Sequence, residues 1–335
     1  MRFQNFFKWQ YNALSPNYVL VASFFVINCV NAHQRQLLSH EEVIGRWRWA
    51  PGRHCLSFAA MIWQGNLRKL LIELGNIDST LQYTLAGADV LNPLPAFRLS
   101  ECIGHHVQLT FSGQIHCAAT GKSIRKTYGD GLSYDAWMKA PEAVASVIHP
   151  ELSRIHEGVA LRDREWEEAH HNVPHWVYLA TTSTIKVGVT GAHTGAKRWF
   201  DQGAITGTVL CIAPYRRLAG EMEVLLKEIF PDKSAYRAMI LATDPDLDAL
   251  QEAREEAFEH LGDAFASYMQ FDAGMETFHY PQLTLPKAVR SVRLDKQPRV
   301  EGVLVALKGQ YAVFDTGEVV NIRSHIGYRV ELRIN

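Results

Sequence analysis

The sequence has no two cysteines in C-x-x-C spacing. Its five, Cys29, Cys55, Cys102, Cys117 and Cys211, are scattered and odd in number. That pattern argues against a disulfide framework and for a reducing compartment, the cytoplasm, and it offers no ready zinc site. Neither sign of charge prevails: 34 lysines and arginines face 35 acidic residues, for a net charge of −1. A globally basic nucleic-acid binder is excluded, whereas local basic patches are not. Internal repeats and low-complexity tracts are also absent. The apolar stretch Tyr18 to Ala32 is too short, and too interrupted by Ser23 and Asn28, for a membrane span, so no membrane partner is expected.

What is present is a globular composition, 47% hydrophobic over 335 residues, for which two or three domains are expected. Three readings of residues 1–60 stand side by side. The stretch "YVLVASFFVINCVNA" resembles the core of an export signal, with Arg2 and Lys8 before it and Val30-Asn31-Ala32 as a small-residue cut site. It equally fits a buried strand or helix. The third reading makes 1–60 an extension and starts the functional protein at Met61; N-terminal sequencing of the native protein separates the three.

From Met61 the pattern is that of strands. "STLQYTLAG" is a β-like run ending at a turn glycine, and "HHVQLTFSGQIHC" alternates, with Val107, Leu109, Phe111 and Ile115 marking period two. Residues 61–117 are therefore expected to form a small antiparallel β module. Residues 118–174 are rich in Gly, Ser, Pro and Lys and read as a loop-rich module with short helices. Between 175 and 243 the expected order is strand "WVYLAT", strand "IKVGVT", helix "AKRWFDQG", strand "GTVLCIA" and helix "RLAGEMEVLLKEIF". In that last helix Leu218, Met222, Leu225, Leu226 and Ile229 share one apolar face, and Pro231 stops it. Residues 244–263 carry eight acids against one Arg254, a solvated helix within a 244–280 segment. The tail, 281–335, is β-like again, with a turn at Thr316-Gly317.

The stretch "VYLA…KVGVT", a helix bearing Arg198, a strand and a helix bearing Glu223 resemble the GIY-YIG nuclease superfamily, in the branch whose second motif reads K-[IV]-G. The longer pattern "VYLA…KVGVT…RWFDQGA", with "AGEMEVLLK", "LKGQY" and "NIRSHIGY", resembles the DUF2797 family over about 61–335. The superfamily implies an α+β fold with a ββαβα core, here flanked by the N-terminal antiparallel β module and a small β-barrel-like C-terminal unit. It also implies a phosphodiester-cutting site. Tyr178 matches the tyrosine beside the attacking water, and Gly188 the glycine where a side chain would block substrate. Arg198 matches the arginine on the scissile phosphate, and Glu223 the glutamate that holds one Mg²⁺. Phosphodiester hydrolysis needs a cation against developing charge, an oriented water and a planar cationic donor. Because Mg²⁺ keeps most of its waters, one carboxylate suffices.

Two departures accompany the resemblance. The second motif tyrosine is replaced by Lys186, which can touch phosphate but is a poor base at a reference pKa near 10.4. DUF2797 relatives look cysteine-rich over 117–171; here those places hold Thr120, Ser133, Ala136, Ala143, Ser146 and Ser153, and only Cys117 remains. Bound zinc is therefore not expected. Plainer readings stand beside each site residue: Tyr178 as a half-buried strand tyrosine, Gly188 as a packing glycine, Arg198 as a surface cation stacked on Trp199, and Glu223 as a solvated helix acid. The fragments 175–240 and 281–335 carry eight and nine Lys/Arg against five acids each. Such counts ordinarily mean a mixed surface. The resemblance implies DNA or RNA as the partner, bound through Lys186, Gly188, Arg198 and Trp199, with a Mg²⁺-dependent nuclease and a non-catalytic binding or structural module as the two functional readings.

Overall fold

The computed structural model describes residues 61–75 and 79–335. The export-signal and alternative-start readings of residues 1–60 fall outside the described residues. The chain enters with β1 (Met61–Leu67), β2 (Leu71–Leu74), β3 (Leu81–Leu85), β4 (Gly87–Asp89), β5 (Asn92–Pro93) and β6 (Phe97–Arg98). The long β7 (His106–His116) and short β8 (Ser123–Ile124) follow, then helices α1 (Tyr134–Lys139) and α2 (Arg164–His171). Next come β9 (His175–Thr181), β10 (Ile185–Gly191), α3 (Lys197–Gln202), β11 (Thr206–Ala213) and α4 (Arg216–Leu226). Helices α5 (Tyr236–Leu241) and α6 (Leu247–Leu261) lead to β12 (Met275–Thr277), β13 (Arg290–Val292), β14 (Arg299–Lys308), β15 (Tyr311–Phe314), β16 (Glu318–Asn321) and β17 (Tyr328–Ile334).

These strands build a mixed α+β fold with three sheets. The largest runs β13-β16-β15-β14-β7-β17-β1-β4-β5, with β8 on β7; the second runs β10-β9-β11-β12, and the third β2-β3-β6. Among the described residues no sheet closes, which corrects the barrel-like expectation for 281–335. The reason is β7: it lies between β14 and β17, so the C-terminal strands pair with the N-terminal ones and not with each other around a ring. Period two along β7 puts Val107, Leu109 and Ile115 inside and leaves the alternate residues at the surface.

The loop-rich stretch between the sheets is held by polar bonds to backbone. Ser133 caps α1 by accepting from the Ala136 N–H, and Asp163 caps α2 by accepting from the Trp166 N–H. The fully buried Glu167 accepts from the N–H groups of Leu161, Arg162 and Asp163, so its carboxylate is satisfied without a cation. The acidic helix α6 is solvated on one side only: Leu250, Ala253, Ala257 and Leu261 are buried with Met222 and Leu226 of α4. Its single basic residue, Arg254, is also buried and donates to the carbonyls of Gln270, Phe271 and Ala273, tying α6 to the chain before β12.

Candidate functional site

The second sheet carries the residues singled out in the sequence. β9 is internal in that sheet and covered on both faces, which is why Val177, Tyr178, Leu179 and Ala180 read as one apolar run. Val177 and Leu179 pack with α4 and α6; Tyr178 and Ala180 pack on the other face with Trp199 of α3. Gly188 of β10 sits directly opposite Tyr178. A Cβ there would lie 2.6 Å from the phenol oxygen and 2.7 Å from the ring carbon bearing it. The glycine is therefore required by the ring that leans across it, a packing role independent of substrate. The phenol itself is 1% exposed and donates to Oε1 of Gln202 at 3.1 Å. Burial raises its pKa, opposed by the neighbouring Arg198 guanidinium and reinforced by the Glu223 charge.

Arg198 is half-buried on α3 and lies at the centre of a group of cations. Lys186 is 6% exposed and its pKa is lowered to about 8, first by burial and then by the charge of Arg198, with Asp232 opposing. Arg216, at the start of α4, is lowered to about 10 by burial and by Arg198, with Glu223 and Glu151 opposing. Its Nε and Nη2 donate to the carbonyls of Ser146 and Val147, each at 2.7 Å, which fastens the loop-rich module to α4. Helix and loop approach closely there because Gly220 faces the backbone of Pro150 and Glu151; any side chain would strike it.

Glu223 is buried on α4 with 7% exposure, and burial raises its pKa against the pull of Lys227 and Arg216. The Lys227 ammonium lies 3.1 Å from Oε2, yet that oxygen forms no aligned hydrogen bond. The contact is an ion pair that leaves a lone pair of the carboxylate unused. The Tyr178 phenol thus feels the charges of both Arg198 and Glu223, and Lys186 feels that of Arg198.

Trp199 does not belong to it as a ligand surface. The indole is 1% exposed and packs against Trp176, Tyr178 and Phe278 with ring centroids 5.8–5.9 Å apart. This corrects its expected substrate-binding role and the stacked Arg198–Trp199 pair: successive helical residues point about 100° apart, so one reaches the surface as the other enters the core. Three contributors went unnoticed in the sequence. Arg216 and Gln202 carry no local signature. The "LKGQY" turn carries one, and its Gln310 proves to be a clamp. The Gln310 amide accepts from Leu70 N–H and donates to Leu70 C=O and to Asp201 of α3, which also pairs with Lys69.

Among the described residues no three of His, Cys, Asp and Glu converge on a common ion. Mg²⁺ would rest on Glu223 alone, for which the unbonded Oε2 is suited, provided Lys227 yields its place. In the loop-rich module, Cys117 is buried and its Sγ accepts from the Ser133 N–H at 3.2 Å. Burial raises that thiol, but the hydrogen bonds from Thr120, Ser133 and Ala119 outweigh it and bring it to about 7.

A family model described as a protein of unknown function (DUF2797) matches residues 104–330. No curated protein and no solved structure matches the chain.

Proposed function

We propose, for a chain that belongs to the DUF2797 family, that the neighbourhood of Lys186, Arg198 and Arg216 binds the phosphodiester backbone of DNA or RNA. The observation that carries this reading is the gathering of three enclosed cations: burial lowers Lys186 and Arg216 first, and the Arg198 charge lowers both further against Asp232, Glu223 and Glu151. The carboxylate among them, Glu223, is already paired with Lys227. Buried or half-buried cations in surplus are costly unless an anion completes them, and guanidinium groups suit phosphate oxygens. Lys122, Arg125 and Lys126 add exposed charge in the loop-rich module, where Lys126 lies 5.0 Å over the Tyr128 ring. The ββαβα order of β9, β10, α3, β11 and α4 agrees with the GIY-YIG resemblance and supports that kinship as part of the proposal.

Cleavage is the second reading, favoured by the buried carboxylate of Glu223, whose Oε2 is held by Lys227 alone. Mg²⁺, when bound there, would supply charge against the scissile phosphate and a polarised water. Arg198 would hold the phosphate. Tyr178 is not the base, since its proton is donated to Gln202 and burial raises its pKa. Lys186 is the better candidate: with a pKa of about 8, about a tenth of it is neutral at pH 7.

Two measurements test these readings. Retardation of labelled single- and double-stranded DNA and RNA at low salt should weaken steeply with added salt. Arg198→Ala should lower affinity by about tenfold, the effect of losing a charged hydrogen bond. Unchanged retardation in that variant ends the binding proposal. Incubation with Mg²⁺ should release shortened strands, and Glu223→Ala should stop the release while retaining binding; an absence of products from the wild-type protein leaves the non-catalytic module.

A further inference from the structure

The "LKGQY" turn holds a second cation that the nucleic-acid reading does not use. Lys308 closes β14 and is 2% exposed. Its ammonium donates to the carbonyl of Ala242 and sits 5.3 Å from the centre of the Tyr280 ring. A carbonyl dipole and a ring face supply partial negative charge to a group with three N–H donors, but no carboxylate neutralises it. Burial alone accounts for its lowering to about 8, with no charged neighbour contributing. The same lysine lines a cleft of about 60 Å³ with Thr243, Phe278, His279, Tyr280 and Gln282. By the same measure a single water needs about 10–15 Å³, so the cleft has room for a small polyatomic ion.

We infer that this cleft is a binding site for a small tetrahedral oxyanion, with Lys308 at its floor and Thr243, His279 and Gln282 at its rim. Isolated buried charge is strongly disfavoured, and a lysine enclosed without a counter-charge either gives up its proton or takes an anion from solution where a cleft admits one. His279 and Gln282 can offer an oxyanion an imidazole N–H and an amide N–H beside the ammonium, and the Thr243 hydroxyl, which donates to Asp244 Oδ2, can turn to it. The aromatic floor restricts the ligand's bulk to the anionic group itself. The inference stands apart from the backbone-binding proposal, because Lys308 and Arg198 belong to different settings.

The test is isothermal titration of inorganic phosphate into the full chain, with chloride adjusted to hold ionic strength constant. One-site binding is expected, weakened about tenfold or more by Lys308→Met, as for loss of a charged hydrogen bond. Arg198→Ala should leave it unchanged, which separates this site from the other one. Should Lys308→Met fail to fold, the rim variants Thr243→Ala and Gln282→Ala, at exposed positions, are expected to weaken binding several-fold. Sulfate, which does not titrate near neutrality, should be taken up together with a proton at pH 8–9, seen as a heat that depends on the buffer. Absent binding, equal binding by wild type and Lys308→Met, or wild-type affinity in both rim variants overturns the proposal. Comparison of 5′-phosphorylated with 5′-hydroxyl oligonucleotides then distinguishes a nucleotide end from free phosphate as the anion's source.

Discussion

Lys186 and Lys308 lie near α3, the first sensing Arg198 and the second with its stem beside Gly203. Both are lowered to about 8, chiefly by burial, yet with different neighbours. Burial lowers both; at Lys186 the Arg198 charge adds to it and Asp232 opposes, whereas at Lys308 burial acts alone. The two settings therefore differ in what accompanies burial: neighbouring charges at Lys186, and no charged neighbour at Lys308. The first is a place where an extended polyanion relieves repulsion. The second is a place that one small anion fills.

The largest effect expected from breaking this comparison comes through the packing beside Arg198, on the same helix. Trp199→Ala removes a fully buried indole and should cost about 3–5 kcal/mol in denaturant melts. If the cost stays within about 0.5 kcal/mol, as for an ordinary surface substitution, then Trp199 is not the packing residue described, and its place as a ligand surface would reopen.

Next in size are the charges themselves. A fall from 10.5 to about 8 corresponds to about 3 kcal/mol per lysine, at roughly 1.4 kcal/mol per pH unit. The folded chain binds fewer protons than the unfolded chain between those values, so stability rises with pH from about 8 toward 10.5. Lys186→Met and Lys308→Met should each stabilise the protein at pH 7 in phosphate-free buffer and remove part of that rise. Melts at pH 7 and 9.5 that run parallel in wild type would show that neither charge is held at a cost.

A smaller loss is expected at the clamp. Gln310→Ala leaves both Leu70 backbone groups without their partner and frees Asp201, for about 1–3 kcal/mol. Because Asp201 lies on α3, the phosphate affinity of the Lys308 cleft and nucleic-acid retardation should both be measured in this variant. A structural clamp predicts that the stability loss exceeds either change in binding.

These contrasts also show what the sequence made legible. The β9–β10 pairing was readable because period two and a short turn are local properties, and the Tyr178–Gly188 register follows from them. The apolar face of α4 was readable for the same reason. Trp199 was not, since six helical residues are too few to show a buried stripe. Lys308 carried no signal of burial, because the groups its ammonium meets, the Ala242 carbonyl and the Tyr280 ring, are distant in sequence. The open ten-stranded sheet was equally hidden, because nothing local in β7 says that β14 and β17 will take its two edges. Arg216 was missed for want of any motif, although a glycine one turn later at 220 marks the close contact it secures.

The subtlest expectation concerns Arg198 itself. If like-charge crowding sets the first lysine apart, Arg198→Ala should raise the pKa of Lys186 while leaving Lys308 where burial puts it. The direction follows from electrostatics: withdrawing a neighbouring positive charge makes protonation easier, and the desolvation that remains is common to both lysines. Arg216 should move upward as well, though its range is harder to reach. Side-chain carbon resonances of the two lysines, followed through an alkaline titration, measure this without any ligand. Equal movement of both, or of neither, would mean that Arg198 is not the source of the difference, and the case for a phosphate held between Lys186, Arg198 and Arg216 would lose its physical basis. Selective movement of Lys186 would also predict that Arg198→Ala shifts any pH-dependent cleavage to higher pH, because the amine that accepts the proton is then neutral only in more alkaline solution.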